Sequence, residues 1–220
     1  MKAVIFDMDG VIVDTNPYHR DTWRAYYERH GKTLTDADFI TYVSGKHNND
    51  IVAHLFADRP LSAAETAVIA YEKEALFRDV YRPHIKPVPG LPDFLKALKA
   101  AGIRTAVATS APVENLDFVV DELELRPYFD VLLNESLVSR PKPDPEIYQK
   151  AMELLNVAPT DSIVFEDSFP GIRAGKSAGA YVVGVATTQT PDELQPLVDD
   201  VIADFTEMTP ARLQQLLKVF

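Results

Sequence analysis

Two pairs of acidic residues each follow a short, apolar, β-favouring run of the sequence: Asp7 and Asp9, and Glu166 and Asp167. Side chains one residue apart on an extended chain point to the same side, so Asp7 and Asp9 can reach one substrate while Met8 faces away. One carboxylate can attack phosphorus, and the other can protonate the leaving oxygen and later deprotonate water. A polar turn with helix-capping acids is the alternative interpretation.

The second acidic pair adds a requirement for positive charge. If both runs are strands of one sheet, four carboxylates converge on one cleft and repel one another strongly unless a cation lies among them. Oxygen ligands in a partly hydrated site favour Mg²⁺. A solvated acidic loop is the alternative for the second pair. We therefore expect a magnesium cofactor, bound by Asp7, Asp9, Glu166 and Asp167.

A lysine and a hydroxyl pair could hold the oxygens of a phosphoryl group. Lys142 lies in a loop with prolines at positions 141, 143 and 145, which stiffen the loop and fix where the ammonium points. Thr109 and Ser110 follow another apolar run and can offer a hydroxyl and backbone N–H groups. An exposed lysine before a helix, and hydroxyls that cap a turn, are the ordinary alternatives.

Strands that alternate with helices must position these residues. The expected strands are 3–6, 104–109, 131–133, 162–165 and 181–185. The expected helices between them are 91–101, 113–123, 145–155 and 171–178. This alternation predicts an α/β fold with a doubly wound parallel sheet, in which ligands bind beyond the carboxyl ends of the strands. Asp7, Thr109 and Glu166 would then share one rim of the sheet.

Residues 15–84 break the alternation, because they contain no convincing strand. They are predicted to form helices over residues 18–30, 35–42, 49–56 and 63–81. We therefore expect an α/β core of residues 1–14 and 85–220, with a small helical-bundle cap of residues 15–84 inserted after the first strand. Prolines at positions 83, 87 and 89 mark the return to the core.

The composition is that of a globular protein, with 46% hydrophobic and 25% charged residues in a chain of 220. The net charge of −11 argues against a nucleic-acid partner, since the 22 Lys and Arg residues are scattered among 33 acids. An acidic protein that handles phosphate needs local cations, either a metal ion or placed lysines. The expected partner is a small-molecule phosphate ester, and the chain is expected to be a monomer.

The absence of cysteine excludes disulfides, a thiolate nucleophile and thiolate-bound zinc or iron–sulfur centres. No apolar run approaches the roughly 18 residues that a membrane span needs. The first apolar run leads straight into Asp7 and Asp9, unlike a signal peptide. We therefore expect a cytoplasmic protein with no membrane partner.

These motifs together resemble the four signature motifs of the haloacid dehalogenase superfamily: Asp7-Met8-Asp9-Gly10-Val11, Thr109, Lys142-Pro143 and Glu166-Asp167-Ser168. The resemblance covers essentially the whole chain. Within it, residues 6–15 and 165–172 look like the subfamily that contains β-phosphoglucomutase and small sugar-phosphate phosphatases. The resemblance thus implies phosphoryl transfer on the fold already expected from the alternation.

The resemblance implies four catalytic residues in the core. Asp7 would be the nucleophile, and Asp9 would be the acid and base that also gives Mg²⁺ its backbone carbonyl. Thr109 and Lys142 would anchor the phosphoryl group. An aspartate at position 9 favours phosphoryl transfer over dehalogenation, because the second carboxylate carries a proton.

The resemblance also implies the remaining core site residues. Asp167 would be a direct metal ligand, supported by Glu166. The backbone N–H groups of Met8 and Ser110 would complete a phosphoryl cradle of preorganised donors. With their neighbours they form the expected substrate-binding set of the core: Met8, Gly10, Ser110 and Ala111.

The cap is expected to close over the cleft, exclude water and select the leaving group. Its expected substrate-binding residues are His19, Lys46, Asn48 and Lys73. For His19 the alternative is an ordinary helix residue. Where β-phosphoglucomutases use an arginine for the non-transferring phosphate, asparagine lies closest here, and an amide cannot give charge-assisted recognition.

Several functions therefore stay open at the level of the sequence. A phosphatase that hydrolyses a monophosphate is the leading hypothesis, because the distal phosphate anchor of a mutase is replaced. A hexose-phosphate mutase of the β-phosphoglucomutase type is the first alternative. Hydrolysis of inorganic pyrophosphate is chemically accessible, and a non-catalytic binding module on the same fold is a further class.

Overall fold

The α/β part of the protein is built on a six-stranded parallel sheet. The computed structural model describes residues 2–43 and 48–216. The strands are β1 (Ala3–Phe6), β2 (Arg104–Ala108), β3 (Val131–Leu133), β4 (Ser162–Glu166), β5 (Tyr181–Val185) and β6 (Asp200–Ile202). They are ordered β3-β2-β1-β4-β5-β6, and every neighbouring pair is parallel.

Helices connect these strands and also form the segment after β1. The α-helices are α1 (Asn16–Arg29), α2 (Asp36–Asp38), α3 (Asn48–Leu55), α4 (Ala63–Tyr81), α5 (Leu91–Ala100), α6 (Val113–Glu122), α7 (Glu146–Leu155), α8 (Phe169–Ser177), α9 (Pro191–Leu194) and α10 (Pro210–Leu216). Short 3₁₀ helices span Arg82–His84, Arg126–Tyr128, Glu135–Leu137, Pro159–Asp161 and Phe205–Glu207, and a π-helical turn spans Phe39–Val43.

The chain divides into two compact units, Met1–Asp14 with Ile85–Phe220, and Thr15–His84. Within the described residues, no helix combines the length and the apolar character that crossing a bilayer requires.

The central strands are buried on both faces, as expected for a parallel sheet covered by helices. One face of β1, which includes Ile5, belongs to a core cluster with residues of α7 and α8, such as Ile147 and Ile172. The other face carries Phe6, whose ring stacks on Phe165 at 5.3 Å between centroids. Helices therefore cover both faces, and the predicted doubly wound α/β fold is confirmed.

The register of the sheet places the ends of β1 and β4 side by side. Phe6 pairs with Phe165. The Asp7 N–H then donates to the Phe165 carbonyl at 3.0 Å, which continues the pairing by one step. The chain order reverses here, since β2 lies on one side of β1 and β4 on the other. Ligands bind at such a switch point in open α/β sheets.

The helical unit has its own apolar core. Aromatic residues of α1 pack with aliphatic residues of α3, and the buried members include Trp23, Tyr26, Ile51 and Val52. The long helix α4 begins after Ser62, whose side chain accepts from the Glu65 N–H while the Glu65 carboxylate accepts from the Ser62 N–H. This capping box fixes the start of α4.

Two local predictions differ from the structure. The strand Asp200–Ile202 at the edge of the sheet was not expected, because three residues give too little periodicity to distinguish a strand from a loop. The predicted helix over residues 35–42 is instead the short helix α2 followed by the π-helical turn.

Candidate active site

Three carboxylates meet at the carboxyl ends of β1 and β4. Oxygen atoms of Asp7, Glu166 and Asp167 lie within 4.8 Å of one another, and all three residues are buried. Asp7 directly follows β1, Glu166 is the last residue of β4, and Asp167 follows it. The parallel pairing of β1 with β4 therefore brings the three acids together. Asp9 is half-buried on the turn after β1, and among the described residues its carboxylate is not a member of this cluster.

The Lys142 ammonium joins the ends of three strands. It donates to Asp7 Oδ1 at 2.7 Å, to Glu166 Oε1 at 2.7 Å and to the Ala108 carbonyl at 3.1 Å. Its side chain is 7% exposed. The sequence placed Lys142 in a proline-stiffened loop, and the structure brings it together with the acidic pairs.

Burial and mutual repulsion shift the protonation of this cluster. Burial, opposed by Lys142 and reinforced by Glu166 and Asp9, raises the pKa of Asp7 to about 7. Burial, and then the charge of Glu166, also raises the pKa of Asp167 well above its usual value. Burial alone would lower the pKa of Lys142, but the carboxylates of Asp7 and Glu166 raise it, so the ammonium stays charged.

Glu166 is bound through both of its oxygens. Oε1 accepts from Lys142 and from the Tyr148 hydroxyl, each at 2.7 Å. Oε2 accepts from the backbone N–H groups of Asp167 and Ser168, each at 3.1 Å, and from the Ser168 hydroxyl at 3.0 Å. Although burial opposes ionisation, Lys142 and these donors lower the pKa of Glu166. Glu166 is therefore a fixed anion that orients its neighbours.

Two glycines allow the backbone to approach the carboxylates. Gly10 has a φ of +81°, and a Cβ there would lie 2.0 Å from Asp167 Oδ2. Gly171 opens the first turn of α8, where a Cβ would lie 1.7 Å from Glu166 Oε1. Larger residues would displace both acids, so these positions require glycine.

Residues at the end of β2 form a tight turn. Thr109 is buried, and its hydroxyl accepts from the Ala111 N–H at 3.0 Å. Ser110 is exposed and Ala111 is buried. Met8, between the two aspartates of the first pair, is 1% exposed.

The predicted cap residues that the structure describes come together inside the helical unit. The Lys73 ammonium lies 2.9 Å from His19 Nδ1 and donates to Glu74 Oε1 at 2.7 Å. Asn48 Nδ2 donates to the same Glu74 oxygen at 2.6 Å. Lys73 and Glu74 are both buried. Lys46 lies outside the described residues.

Comparison with known proteins decides the family. Residues 1–179 match the haloacid dehalogenase-like hydrolases. The chain belongs to the haloacid dehalogenase-like hydrolase family.

Its relatives in this family include both phosphatases and mutases. It is 36% identical over 182 residues to "Phosphorylated carbohydrates phosphatase" of Thermotoga maritima. The matched residues cover 81% of this chain and 82% of that protein. It is 31% identical over 198 residues to "Beta-phosphoglucomutase" of Bacillus subtilis, covering 86% and 85%. The crystal structure of a HAD hydrolase, family IA, variant 3, from Entamoeba histolytica has a TM-score of 0.90 and 31% identity, and covers 99% of this chain and 100% of that chain.

The predicted enzyme class, a haloacid dehalogenase-like hydrolase of the phosphatase type, is therefore confirmed.

The structure adds contacts to this hydrolase that the sequence analysis did not single out. The Thr187 hydroxyl donates to the Gly10 carbonyl, and the Thr188 hydroxyl donates to Asp167 Oδ2. These threonines follow β5, which carries no acidic motif, so only the sheet order β1-β4-β5 could have indicated them. Tyr148 and Glu74 were also missed, because no recognisable motif includes them.

Proposed function

We propose that this hydrolase is a Mg²⁺-dependent phosphatase that cleaves a small phosphomonoester, a sugar phosphate, through an aspartyl-phosphate on Asp7. The observation that carries the proposal is the Asp7 carboxylate in a buried acidic cluster, with the Lys142 ammonium 2.7 Å from its Oδ1 atom. The substrate class is supported by a 36% identical relative named for phosphorylated carbohydrates.

The donor set fits magnesium. The cluster offers carboxylate oxygens, the hard ligands that Mg²⁺ takes, and it holds more carboxylates than ammonium groups. Since both oxygens of Glu166 already accept hydrogen bonds, we assign the ion to Asp7, Asp167 and the backbone carbonyl of Asp9, with Glu166 in support. When bound, the ion would neutralise negative charge on phosphoryl oxygens.

Asp7 is the proposed nucleophile. Its carboxylate attacks phosphorus, and the bond from phosphorus to the leaving oxygen breaks as Asp9 gives that oxygen a proton. Lys142 holds Asp7 Oδ1 and so fixes the carboxylate in one orientation. Because the Lys142 ammonium stays charged, it also stabilises the charge on the transferring group.

The second half of the reaction returns the enzyme to its first state. Asp9 takes a proton from a water molecule, whose oxygen attacks the phosphorus of the aspartyl-phosphate. The phosphorus–oxygen bond to Asp7 breaks, which frees inorganic phosphate and the Asp7 carboxylate. We assign Thr109 and the N–H groups of Met8 and Ser110 to holding the phosphoryl oxygens through both steps.

A hexose-phosphate mutase is the second candidate, favoured by 31% identity to a β-phosphoglucomutase. A mutase must hold a second phosphate, which calls for charge-assisted donors. In the helical unit, the Lys73 ammonium and the Asn48 amide both donate to Glu74 Oε1, at 2.7 Å and 2.6 Å. Because both donors already bind the Glu74 carboxylate, they are less available to hold a second phosphate. This favours the phosphatase.

The test is a panel of sugar monophosphates with Mg²⁺, including β-glucose 1-phosphate, followed for both inorganic phosphate and glucose 6-phosphate. Asp7→Asn should abolish phosphate release. Asp93→Asn, at a side chain that is 88% exposed, is the matched control and should release phosphate at the wild-type rate.

The two products, inorganic phosphate and glucose 6-phosphate, distinguish the phosphatase from the mutase. Phosphate release that requires Asp7 supports the phosphatase. Conversion to glucose 6-phosphate without net phosphate would favour the mutase instead. Phosphate release that persists in Asp7→Asn would contradict the assigned nucleophile.

A further inference from the structure

Tyr148 contacts both Lys142, which donates to Asp7, and Glu166, the second carboxylate to which Lys142 donates. It lies in the first turn of α7 and is 0% exposed. Its hydroxyl donates to Glu166 Oε1 at 2.7 Å, and the Lys142 ammonium lies 4.8 Å from the centre of its ring. Tyr148 therefore meets Lys142 through its ring and meets the carboxylate partner of Lys142 through its hydroxyl.

We propose that Tyr148 is a positioning residue that keeps the Lys142 ammonium against Asp7. Its catalytic consequence rests on the proposed function, because that function gives Lys142 and Asp7 their roles. The geometric part of the inference, the restraint of Lys142, does not depend on the reaction.

The competition between carboxylates shows why a restraint is needed. Lys142 donates to both Asp7 and Glu166 at the same distance of 2.7 Å. The Tyr148 hydroxyl satisfies part of the hydrogen-bonding capacity of Glu166 Oε1, so this oxygen attracts the ammonium less strongly. The electron-rich face of the ring adds a further attraction for the ammonium. Together these contacts keep Lys142 shared between the two acids.

Tyr148 acts as a donor and not as a proton carrier. Burial and the neighbouring charges of Glu166 and Asp7 raise the pKa of Tyr148 well above its usual value. The hydroxyl thus keeps its proton over the range in which the enzyme would work.

The same helical turn holds the loop that carries Lys142. The Tyr148 N–H donates to the Pro145 carbonyl at 3.0 Å. The Glu146 carboxylate accepts from the backbone N–H groups of Ser139 and Arg140, each at 2.9 Å. Both sides of the Lys142 loop are therefore tied to the start of α7, which fixes the loop relative to the Tyr148 ring.

Two substitutions separate the hydroxyl from the ring. Tyr148→Phe removes only the hydrogen bond to Glu166, and Tyr148→Leu removes the ring contact as well. Tyr27→Phe is the matched control, because the Tyr27 hydroxyl is buried and, among the described residues, has no hydrogen-bond partner. Thermal unfolding of each variant checks that the fold is kept.

The first readout needs no catalysis. Lysine side chains of the metal-free protein are labelled with an amine-reactive reagent, and the rate at Lys142 is measured by mass spectrometry. Release of the ammonium should raise this rate by about 3- to 10-fold in Tyr148→Phe and by about 10- to 100-fold in Tyr148→Leu. Tyr27→Phe should leave the rate at Lys142 unchanged.

The second readout is phosphatase kinetics. A misplaced Lys142 should lower kcat by about 3- to 10-fold in Tyr148→Phe with little change in KM, because Asp7 is less well oriented for attack. A merely structural role would lower the melting temperature and leave the kcat of the folded enzyme as in the wild type.

The two readouts distinguish the two proposals. Faster labelling of Lys142 in both Tyr148 variants, with melting temperatures near the wild type, supports the positioning role even if no tested phosphoester is hydrolysed. Labelling and kcat that both match the Tyr27→Phe control would overturn the positioning role and leave the proposed function standing.

Discussion

Each of the two units contains a buried lysine that faces carboxylate groups, and the two clusters differ in their balance of charge. In the α/β unit, Lys142 donates to Asp7 and Glu166, and Asp167 belongs to the same cluster. In the helical unit, Lys73 donates to its neighbour Glu74. The side chains of Lys142 and Lys73 are 7% and 1% exposed, so burial is comparable.

The α/β cluster gathers three carboxylates near Lys142, whereas in the helical unit Lys73 donates to the carboxylate of Glu74. Burial, opposed by Lys142 and reinforced by repulsion from Glu166 and Asp9, raises the pKa of Asp7 in this cluster to about 7. A divalent cation would relieve the repulsion between the carboxylates. The Lys73–Glu74 pair of α4 contacts α1 through His19 and α3 through Asn48. The acidic cluster of the α/β unit is therefore the one that we propose for a metal ion, and the Lys73–Glu74 pair is the one for which we predict the larger effect on stability.

The largest effect on stability is expected from breaking the buried Lys73–Glu74 pair. Lys73→Met would remove the ammonium that donates to the buried Glu74 carboxylate, and we expect the free energy of unfolding to fall by about 3–5 kcal/mol. Urea unfolding followed by circular dichroism measures it, with and without Mg²⁺, which should not restore the loss.

The matched control is Lys96→Met. Lys96 pairs with Asp93 at 3.1 Å, but the lysine side chain is 60% exposed. An exposed pair of this kind contributes about 0–1 kcal/mol. Equal losses in the two variants would remove the distinction between the buried pair and an ordinary surface pair.

A smaller effect is expected at the acidic cluster for which we propose the metal ion. The Thr188 hydroxyl donates to Asp167 Oδ2, so it orients a proposed metal ligand. Thr188→Val should weaken Mg²⁺ binding by about 10- to 100-fold, since partners of metal ligands typically contribute that much. Calorimetric titration with Mg²⁺ measures this directly.

Thr188→Ser keeps the hydroxyl and serves as the control, with affinity expected near that of the wild type. An unchanged affinity in Thr188→Val would mean that Asp167 needs no such partner, or that the ion is held elsewhere.

The smallest effect is a dependence of Mg²⁺ affinity on pH. The pKa of Asp7 in the metal-free protein is about 7, above its usual 3.8, so below pH 7 a proton must leave before the ion binds. Affinity should therefore rise with pH up to about 7 as Asp7 loses its proton, by at most about tenfold per pH unit per proton, and Asp167, whose pKa is also raised by burial and by Glu166, should add to this rise.

The raised pKa of Asp7 also makes the stability of the metal-free protein depend on pH. Stability falls as pH rises, whereas Mg²⁺ affinity increases. A carboxyl whose pKa is raised in the folded state stabilises the metal-free protein at low pH, and this contribution is lost as pH rises from 3.8 through about 7. Asp7→Asn should flatten both pH dependences, and an equally steep slope in that variant would assign the titration to another group.

The sequence predicts the α/β unit well because local patterns determine it. Apolar runs that end in acids, such as residues 3–6 before Asp7, combine strand propensity and polarity at neighbouring positions. Parallel pairing then follows from the alternation with helices and brings Asp7 to Glu166. The strand Asp200–Ile202 escaped prediction because its three residues form a strand only by pairing with β5.

The sequence could not predict contacts between residues without a shared pattern. His19, Asn48 and Lys73 share no sequence pattern: His19 contacts Lys73, while Asn48 and Lys73 both donate to Glu74, which has no motif of its own. Tyr148 and Thr188 reach the carboxylates only through the packing of α7 and the order of the sheet. The roles assigned to the site residues of both units, Asp7 and Lys142 included, stay predictions.

The most direct measurement is to trap the covalent intermediate. The Asp9→Asn variant, in which loss of the proton carrier should slow both formation and hydrolysis of the aspartyl-phosphate by about 10²- to 10⁴-fold, is incubated with Mg²⁺ and a sugar phosphate until phosphate release is steady, and is then quenched with borohydride. Borohydride reduces an acyl phosphate, so mass spectrometry of the peptide that contains residue 7 should find homoserine in place of Asp7. Phosphate release with Asp7 still unmodified, or reduction at another carboxylate, would contradict the assignment of Asp7 as nucleophile.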